Sequence, residues 1–541
     1  MSDQRDLLEM RFKRYLHYGS EQPIYKPGDR FHHKSYTEEN IPSLKKLIEE
    51  DEPEKLIDTM VKVKTDGTSL WPDAIIFAYA YCVCSNKVVL QNAAYKVIRK
   101  VCRSPNDITL FVKFYRELRG SKGGGNGFKK AIASWYLVWM PFDLADILFK
   151  QKRYHGWTHL DVLRLAHVKP VTIEQTVLLK YAIKGAKRTT EQYKDSDNEQ
   201  VKELLEYMNS VESFRRVSDP EEAAKRVGRE LHNIERVPSG LLKYQEVWNQ
   251  LIPNMDVRTL LENLQRISIH GFLKGNNITV MSVMDVFNNM RKAEEFKGHP
   301  VRVYIELMTY EKAAKYCLDI ASKMGHPISK ITPARKPPKI NLMIKNALMT
   351  FYLTLHKFQK PTNLRYFVAV DVRSKMTTDR CHGCMHLTPL EAAAAVCLSL
   401  TRVESESNIT IGTFSEEKGD IDVHSFTKDS EIAKFETTFS EKSETAGPAS
   451  VVAAIHWADV KKKPYDVFII LSNYTVLTSG TRVAIQKYRT DMNLPNAKVV
   501  TCSLTGNLRT HKDVEGQNML CVIGFDEHVP RLIEAFAKGA F

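Results

Sequence analysis

Apolar positions along residues 1–360 recur at helical spacing and rarely alternate with a period of two. NAAYKVIRKVC (92–102) carries the helical pattern, SPND interrupts it, and ITLFVKFYREL resumes it one turn later. SDPEEAAKRVGRELHNIE (218–235) predicts a helix with Asp219 as N-cap, Pro220 at the first helical position and acids in the first turn. Helix–turn–helix units sustained over this length predict an α-solenoid of HEAT or armadillo type, without a clean sequence repeat. The heavily charged stretch 187–236 predicts a protruding helical hairpin, with a disordered loop near DSDNE as the alternative.

The pattern changes after the proline-rich, basic segment ISKITPARKPPK (328–339). One amphipathic helix follows, INLMIKNALMTFYLTLHKF, and then strands alternate with helices. The expected strands are RYFVAV (365–370), NITIGTF (408–414), YDVFIIL (465–471), AKVVTCSL (497–504) and MLCVIGF (519–525). TPLEAAAAVCLSLTRV (388–403) and VVAAIHWADV (451–460) read as helices between them. Short strands rich in Val and Ile and apolar on both faces predict a parallel sheet covered by helices, a doubly wound α/β domain. The chain is therefore divided into a helical domain, 1–360, and an α/β domain, 361–541. In such sheets ligands bind at the carboxyl ends of the strands, which is where Asp371 falls.

Charge separates the two parts further. The net charge is +14, yet residues 361–541 carry 20 Lys+Arg against 22 Asp+Glu, leaving 58 against 42 in residues 1–360. A basic helical part beside a neutral one favours a polyanionic partner. No apolar run reaches the about 18 residues that would span a bilayer, and the charged N-terminus lacks a signal core, so no membrane partner is expected. The expected location is the cytoplasm, with the nucleus as a second compartment. Nine cysteines without a repeating frame fit reduced thiols.

The densest polar stretch is RYHGWTHLDVLRLAHVKP (153–170). Thr158 and Asp161 form a capping pair, and the helix they open is expected to end just before Pro170. Arg164 and His167, three apart, would share one face, with Leu160, Leu163 and Leu165 inward. Lys150, Lys152 and Arg153 arrive from the preceding turn, and Lys169 follows. A basic face with imidazole and the rings of Tyr154 and Trp157 can hold phosphates and stack on bases. A solvated helix face with a capping histidine is the plainer alternative. SKGGGNGFKKAIASWY (121–136) lacks the G-K-[ST] of a nucleotide loop and reads as a turn with Lys129 and Lys130 at a helix start, cations that could also meet RNA phosphate. CHGCMH (381–386) offers Cys381, Cys384 and His386, one ligand short of a structural zinc set, and reads as a surface loop. No catalytic set is legible, and no cofactor is expected.

RFKRYLHYGSE (11–21), KKAIASWY (129–136), GWTHLDVLRLAHVKP (156–170) and YFVAVDV (366–372) together resemble the Ro autoantigen proteins, which join a TROVE domain to a von Willebrand factor A (vWA) domain. The resemblance runs along nearly the whole chain. It implies a ring of HEAT-like repeats closed by the A domain; a monomer is expected. It implies binding of small structured (Y-type) RNAs on a basic outer surface and of single-stranded 3′ ends of misfolded RNAs in a central hole, with protein partners for the A domain. The family's outer-surface contacts fall on Lys150 and His167; a third, an arginine, falls on Tyr154, with Arg153 next door as a candidate substitute. The family's A domain carries D-x-S-x-S, a second-loop threonine and a later aspartate, whose oxygens hold a divalent cation. Here Asp371 remains, but Arg373 and Lys375 replace the serines, the second-loop threonine falls on or near Ala449 and its neighbouring aspartate on Ser450, and Asn473 takes the place of the later aspartate. No metal is expected in this vestigial site; Lys375 or Arg373 is expected to pair with Asp371.

Overall fold

The computed structural model describes residues 2–27, 36–50, 52–120, 124–150, 153–229, 233–323, 340–414, 421–440, 449–476, 479–506 and 518–541. Lys152, the first three residues of SKGGGNG and the proline-rich segment 328–339 lie outside them. The chain forms two compact units, Met1–Glu21 with Ser35–Leu251, and Gln22–Lys34 with Ile252–Phe541.

The first unit is helical among its described residues apart from short turns and 3-10 segments. Proline at the first or second helical position opens the helices Pro42–Glu49, Pro53–Asp66, Pro72–Cys84, Pro105–Arg119 and Pro141–Phe149. There its fixed φ suits the helix and its missing N–H removes a donor that would have no partner. Asp219 caps the following helix as expected, accepting a 2.8 Å hydrogen bond from the Glu222 N–H. The run 92–102 is not one helix but two, Val88–Lys96 and Ile98–Val101, broken at Val97. The stretch 187–236 is not a protruding hairpin. It holds the helices Ala186–Tyr193, Glu199–Phe214 and Pro220–Arg229, and Val201, Leu204, Met208 and Phe214 are buried. With the buried Val211 between the last two, these apolar residues recur every three or four positions among the charges, so the charge density describes only the outer face. DSDNE is an ordered turn whose Asn198 caps the helix that follows.

Among the described residues, the second unit is built on a seven-stranded sheet. In chain order the strands are β1 Ile24–Tyr25, β2 Tyr366–Asp371, β3 Ile409–Phe414, β4 Asp422–His424, β5 Ala449–Ser450, β6 Val467–Ser472, β7 Thr475–Val476, β8 Lys498–Ser503 and β9 Met519–Ile523. The main sheet has the order β1-β9-β8-β6-β2-β3-β4 and is parallel except for β4; β5 and β7 pair separately. The five expected strands are all present. Every residue of β2, β6 and β9 is buried, as a sheet covered on both faces requires. Phe367, Ala369, Phe468 and Ile470 pack on Val451, Ile455 and Tyr488 from the helices Val451–Val460 and Ser479–Asp491. The helices of 252–358 belong to this unit, so it begins well before the strands that mark the change of texture in the sequence. The edge strand β1 was not legible, being two residues long: the Cys521 N–H donates to the Pro23 carbonyl at 2.9 Å, and the Tyr25 hydroxyl donates to Asp526 at 2.8 Å.

Candidate nucleic-acid interface

The helix His159–Ala166 organises the basic stretch of the first unit. Thr158 Oγ1 accepts the Asp161 N–H at 3.2 Å while the Asp161 carboxylate accepts from the Thr158 N–H and hydroxyl at 3.0 and 2.6 Å. The inward face is His159, Val162, Leu163 and Ala166; Leu160 and Leu165, expected inside with Leu163, are only half-buried. His159 shares a 2.7 Å hydrogen bond between its Nδ1 and the Tyr136 hydroxyl. Its burial pushes the imidazole down to about 4, so it stays neutral and is a packing residue.

The helix does not run to Pro170. It stops at Ala166, and His167 takes the left-handed conformation with φ 51, its N–H bonded to the Leu163 carbonyl. His167 therefore leaves the helical face it was expected to share with Arg164, although both are exposed, as is Lys169. On the entry side, Tyr154 and Trp157 exchange backbone hydrogen bonds of 2.9 and 2.8 Å around His155 and Gly156, whose φ values are 50 and 87. Two positive φ values in succession define a tight turn of type I′, in which glycine at the second centre is favoured. His155 Nε2 anchors this turn to Asn106 Oδ1 at 2.9 Å. Arg153 is exposed and donates to the Gly156 carbonyl at 3.2 Å. Burial pushes the Asp161 carboxyl up, but its Thr158 hydrogen bonds and the neighbouring Arg153 and Arg164 outweigh that and hold it below the usual range. Arg153 and Arg164 thus both act electrostatically on Asp161.

Lys150 ends the helix Pro141–Phe149 and is held by Glu235, Nζ to Oε2 2.8 Å. This carboxylate, 85 residues downstream, escaped the sequence reading because nothing local announces it. Lys129 is half-buried and Lys130 exposed on the helix Asn126–Leu137. That helix is tied to its neighbours by Trp135 Nε1, which donates to the Cys102 carbonyl at 2.7 Å.

In the second unit, CHGCMH is a loop at the surface, with His382, Gly383 and Met385 exposed, but its cysteines point inward. Cys381 and Cys384 are buried, and the turn is pinned by the His382 N–H donating to Leu504 and by the Phe525 N–H donating to His382, at 2.9 and 2.7 Å. Gly524 admits this approach: its φ is 114, and a Cβ there would lie 2.6 Å from the His382 carbonyl oxygen. Burial raises both thiols, Cys384 to about 12, which opposes the thiolate form that a metal needs.

At the carboxyl end of β2, Asp371 is fully buried, and the partner it finds is Arg373 rather than the exposed Lys375. Arg373 Nε lies 2.9 and 3.0 Å from the two carboxylate oxygens, and Nη2 lies 2.6 Å from Oδ2. The Arg373 N–H adds a 3.0 Å hydrogen bond, and Ser472 Oγ donates to Oδ2 at 2.6 Å. Nη2 also reaches toward Asn473 Oδ1 at 3.4 Å. These residues do not fit a divalent cation, because the guanidinium already occupies the carboxylate.

Comparison with known proteins agrees with this architecture. Residues 365–537 match the family described as the Ro60 vWA domain. A Caenorhabditis elegans protein named "RNA-binding protein RO60" is 21% identical over 597 aligned residues, covering 98% of this chain and 88% of that protein. A Deinococcus radiodurans protein of the same name is 24% identical over 454 aligned residues, covering 83% and 78%. The crystal structure of the Deinococcus radiodurans Ro (RSR) protein superposes with a TM-score of 0.82 at 21% identity, covering 99% of this chain and all of that one, a likeness of fold. Residues 365–537 are thus a Ro60-type vWA domain, and the resemblance to the Ro autoantigen family extends along the chain.

Proposed function

We propose that this chain is an RNA-binding protein, a binder rather than an enzyme, whose first contact surface is the basic stretch 150–169. The observation that carries this reading is the exposed set Arg153, Arg164, His167 and Lys169, held in place by a capped helix and a tight turn in the part of the chain with 58 Lys+Arg against 42 Asp+Glu. Long cations on a rigid frame meet phosphates, and imidazole with the flanking rings meets unstacked bases. Its relatives are named as RNA-binding proteins, which supports the same reading. In finer terms, the partners are small structured non-coding RNAs of the Y type on the outer basic face. Single-stranded 3′ ends of misfolded RNAs enter a central hole, in a monomeric quality-control protein of the cytoplasm and nucleus. Lys129 and Lys130 extend the phosphate contacts, and Lys152 joins Lys150.

A His167→Ser, Lys150→Ala double variant tests this in a gel shift against small RNA co-purified from the native source. The expected result is a loss of affinity with unchanged thermal unfolding; unchanged affinity refutes the assignment. A protein-interaction scaffold without RNA is the second reading. It predicts a 260/280 ratio of pure protein when the chain is isolated without nuclease, whereas the RNA reading predicts a raised ratio.

A further inference from the structure

We propose that Arg373 is a built-in cation that takes the place of a divalent ion in the A domain, so that the carboxyl-terminal edge of its sheet is held without metal and recruits no ligand carboxylate through one. Three observations carry this. Asp371 has no solvent exposure, and a buried carboxylate persists only when its oxygens are matched by cations and donors. Here both oxygens are filled, by Arg373 Nε, Nη2 and backbone N–H and by Ser472 Oγ, at 2.6 to 3.0 Å.

The surrounding groups are the wrong set for an ion. A hard divalent cation wants several oxygens, preferably anionic. Position 373 supplies a guanidinium, and 375 an exposed ammonium. Position 473 supplies the neutral amide of a residue 6% exposed. An ion could enter only by expelling the Arg373 side chain, itself 7% exposed, and would then face that displaced charge.

The substitution is also short-range. Arg373 is two residues from Asp371 and closes onto it through backbone and side chain together. The loop is thereby ordered by covalent proximity rather than by ion concentration. A planar guanidinium is suited to this role because it meets a carboxylate on two edges, which an ammonium cannot. The charge balance changes accordingly. One carboxylate with a divalent ion leaves a positive site that attracts an acidic ligand, while one carboxylate with one guanidinium is neutral.

The test uses the full chain, read by thermal unfolding in EDTA and then in millimolar Mg²⁺ or Mn²⁺, with bound metal measured after dialysis. The wild-type midpoint is expected to be the same in all three solutions. Arg373→Ser, which puts a hydroxyl at the third position, is expected to unfold several degrees lower in EDTA and to regain part of the loss with Mn²⁺. A stoichiometric ion retained by the wild type and lost in Asp371→Asn would overturn the proposal. So would an Arg373→Ser variant that unfolds at the wild-type midpoint in EDTA. Should that variant not fold, Asp371→Asn with Arg373→Met is read instead: it removes both charges and is expected to fold without a Mn²⁺ response, and failure on either count stands against the proposal.

Discussion

Replacing Arg373 by methionine keeps most of the side chain's apolar length and removes only the charge, which isolates the electrostatic part of its role. Asp371 would then be a carboxylate at 0% exposure with the Ser472 hydroxyl and one backbone N–H as its remaining partners. Two unit charges about 4 Å apart interact by about 4 kcal/mol at an effective dielectric of 20. Removing one member of a buried pair costs about 3–5 kcal/mol because the other is left uncompensated. Domains are stable by only about 5–15 kcal/mol, so the variant should lose a large share of the second unit's stability. The double variant Asp371→Asn, Arg373→Met leaves no buried charge. Its asparagine can still accept from Ser472, so it should recover about 2–4 kcal/mol relative to the single change. Hydrogen exchange of the full chain, followed by mass spectrometry on peptides from β2 and β6, reads this locally, since protection there follows the opening of the sheet. If Arg373→Met leaves β2 protected within about 0.5 kcal/mol of wild type, or if the double variant is no better than the single, the guanidinium is not what neutralises Asp371.

Three further outcomes follow from the same structure. Glu235→Ala should strengthen RNA binding a few-fold by freeing Lys150 from its 2.8 Å partner, and the gain should vanish in a Lys150→Ala background; a gel-shift titration of the four proteins checks both. Thr158→Ala removes the hydroxyl that caps His159–Ala166 and should cost about 1 kcal/mol in urea unfolding while reducing RNA affinity through the loosened Arg164. His159 is held at about 4 in the folded chain against an ordinary 6.5, so unfolding takes up a proton below that value. Stability from this residue is therefore complete above pH 6.5 and is lost as the pH falls toward 4, and His159→Gln should flatten that part of the urea-midpoint profile.

How much was legible differs between the two units for a physical reason. Strands buried on both faces must be continuously apolar, so β2, β3, β6, β8 and β9 could be read within a residue or two, while β1 and β4 could not. These two are short edge elements whose pairing, not their composition, makes them strands. In the helical unit, capping chemistry is local, and Thr158 with Asp161 and Asp219 with Pro220 named two helix starts correctly. Helix ends were less legible. His167 adopts φ 51 without glycine or asparagine to announce it, so the run to Pro170 looked unbroken. The turn at His155–Gly156 does carry a local signal, a tetrapeptide with glycine at its second centre.

The amino-acid order by itself determined the succession of a basic helical part and an apolar parallel sheet, because periodicity, caps and charge are properties of neighbouring residues. It also placed two cations where a metal loop has hydroxyls. Which of them answers Asp371 was decided only by the tertiary structure. β2 and β6 lie side by side and bring Ser472 and Asn473 to the aspartate, leaving a buried gap that the Arg373 side chain fills while Lys375 starts the next helix in solvent. The same is true of Lys150, whose neighbour in sequence is a helix end and whose neighbour in space is Glu235. Electrostatic partners are chosen by proximity after folding, and proximity between distant segments has no local signature in the chain.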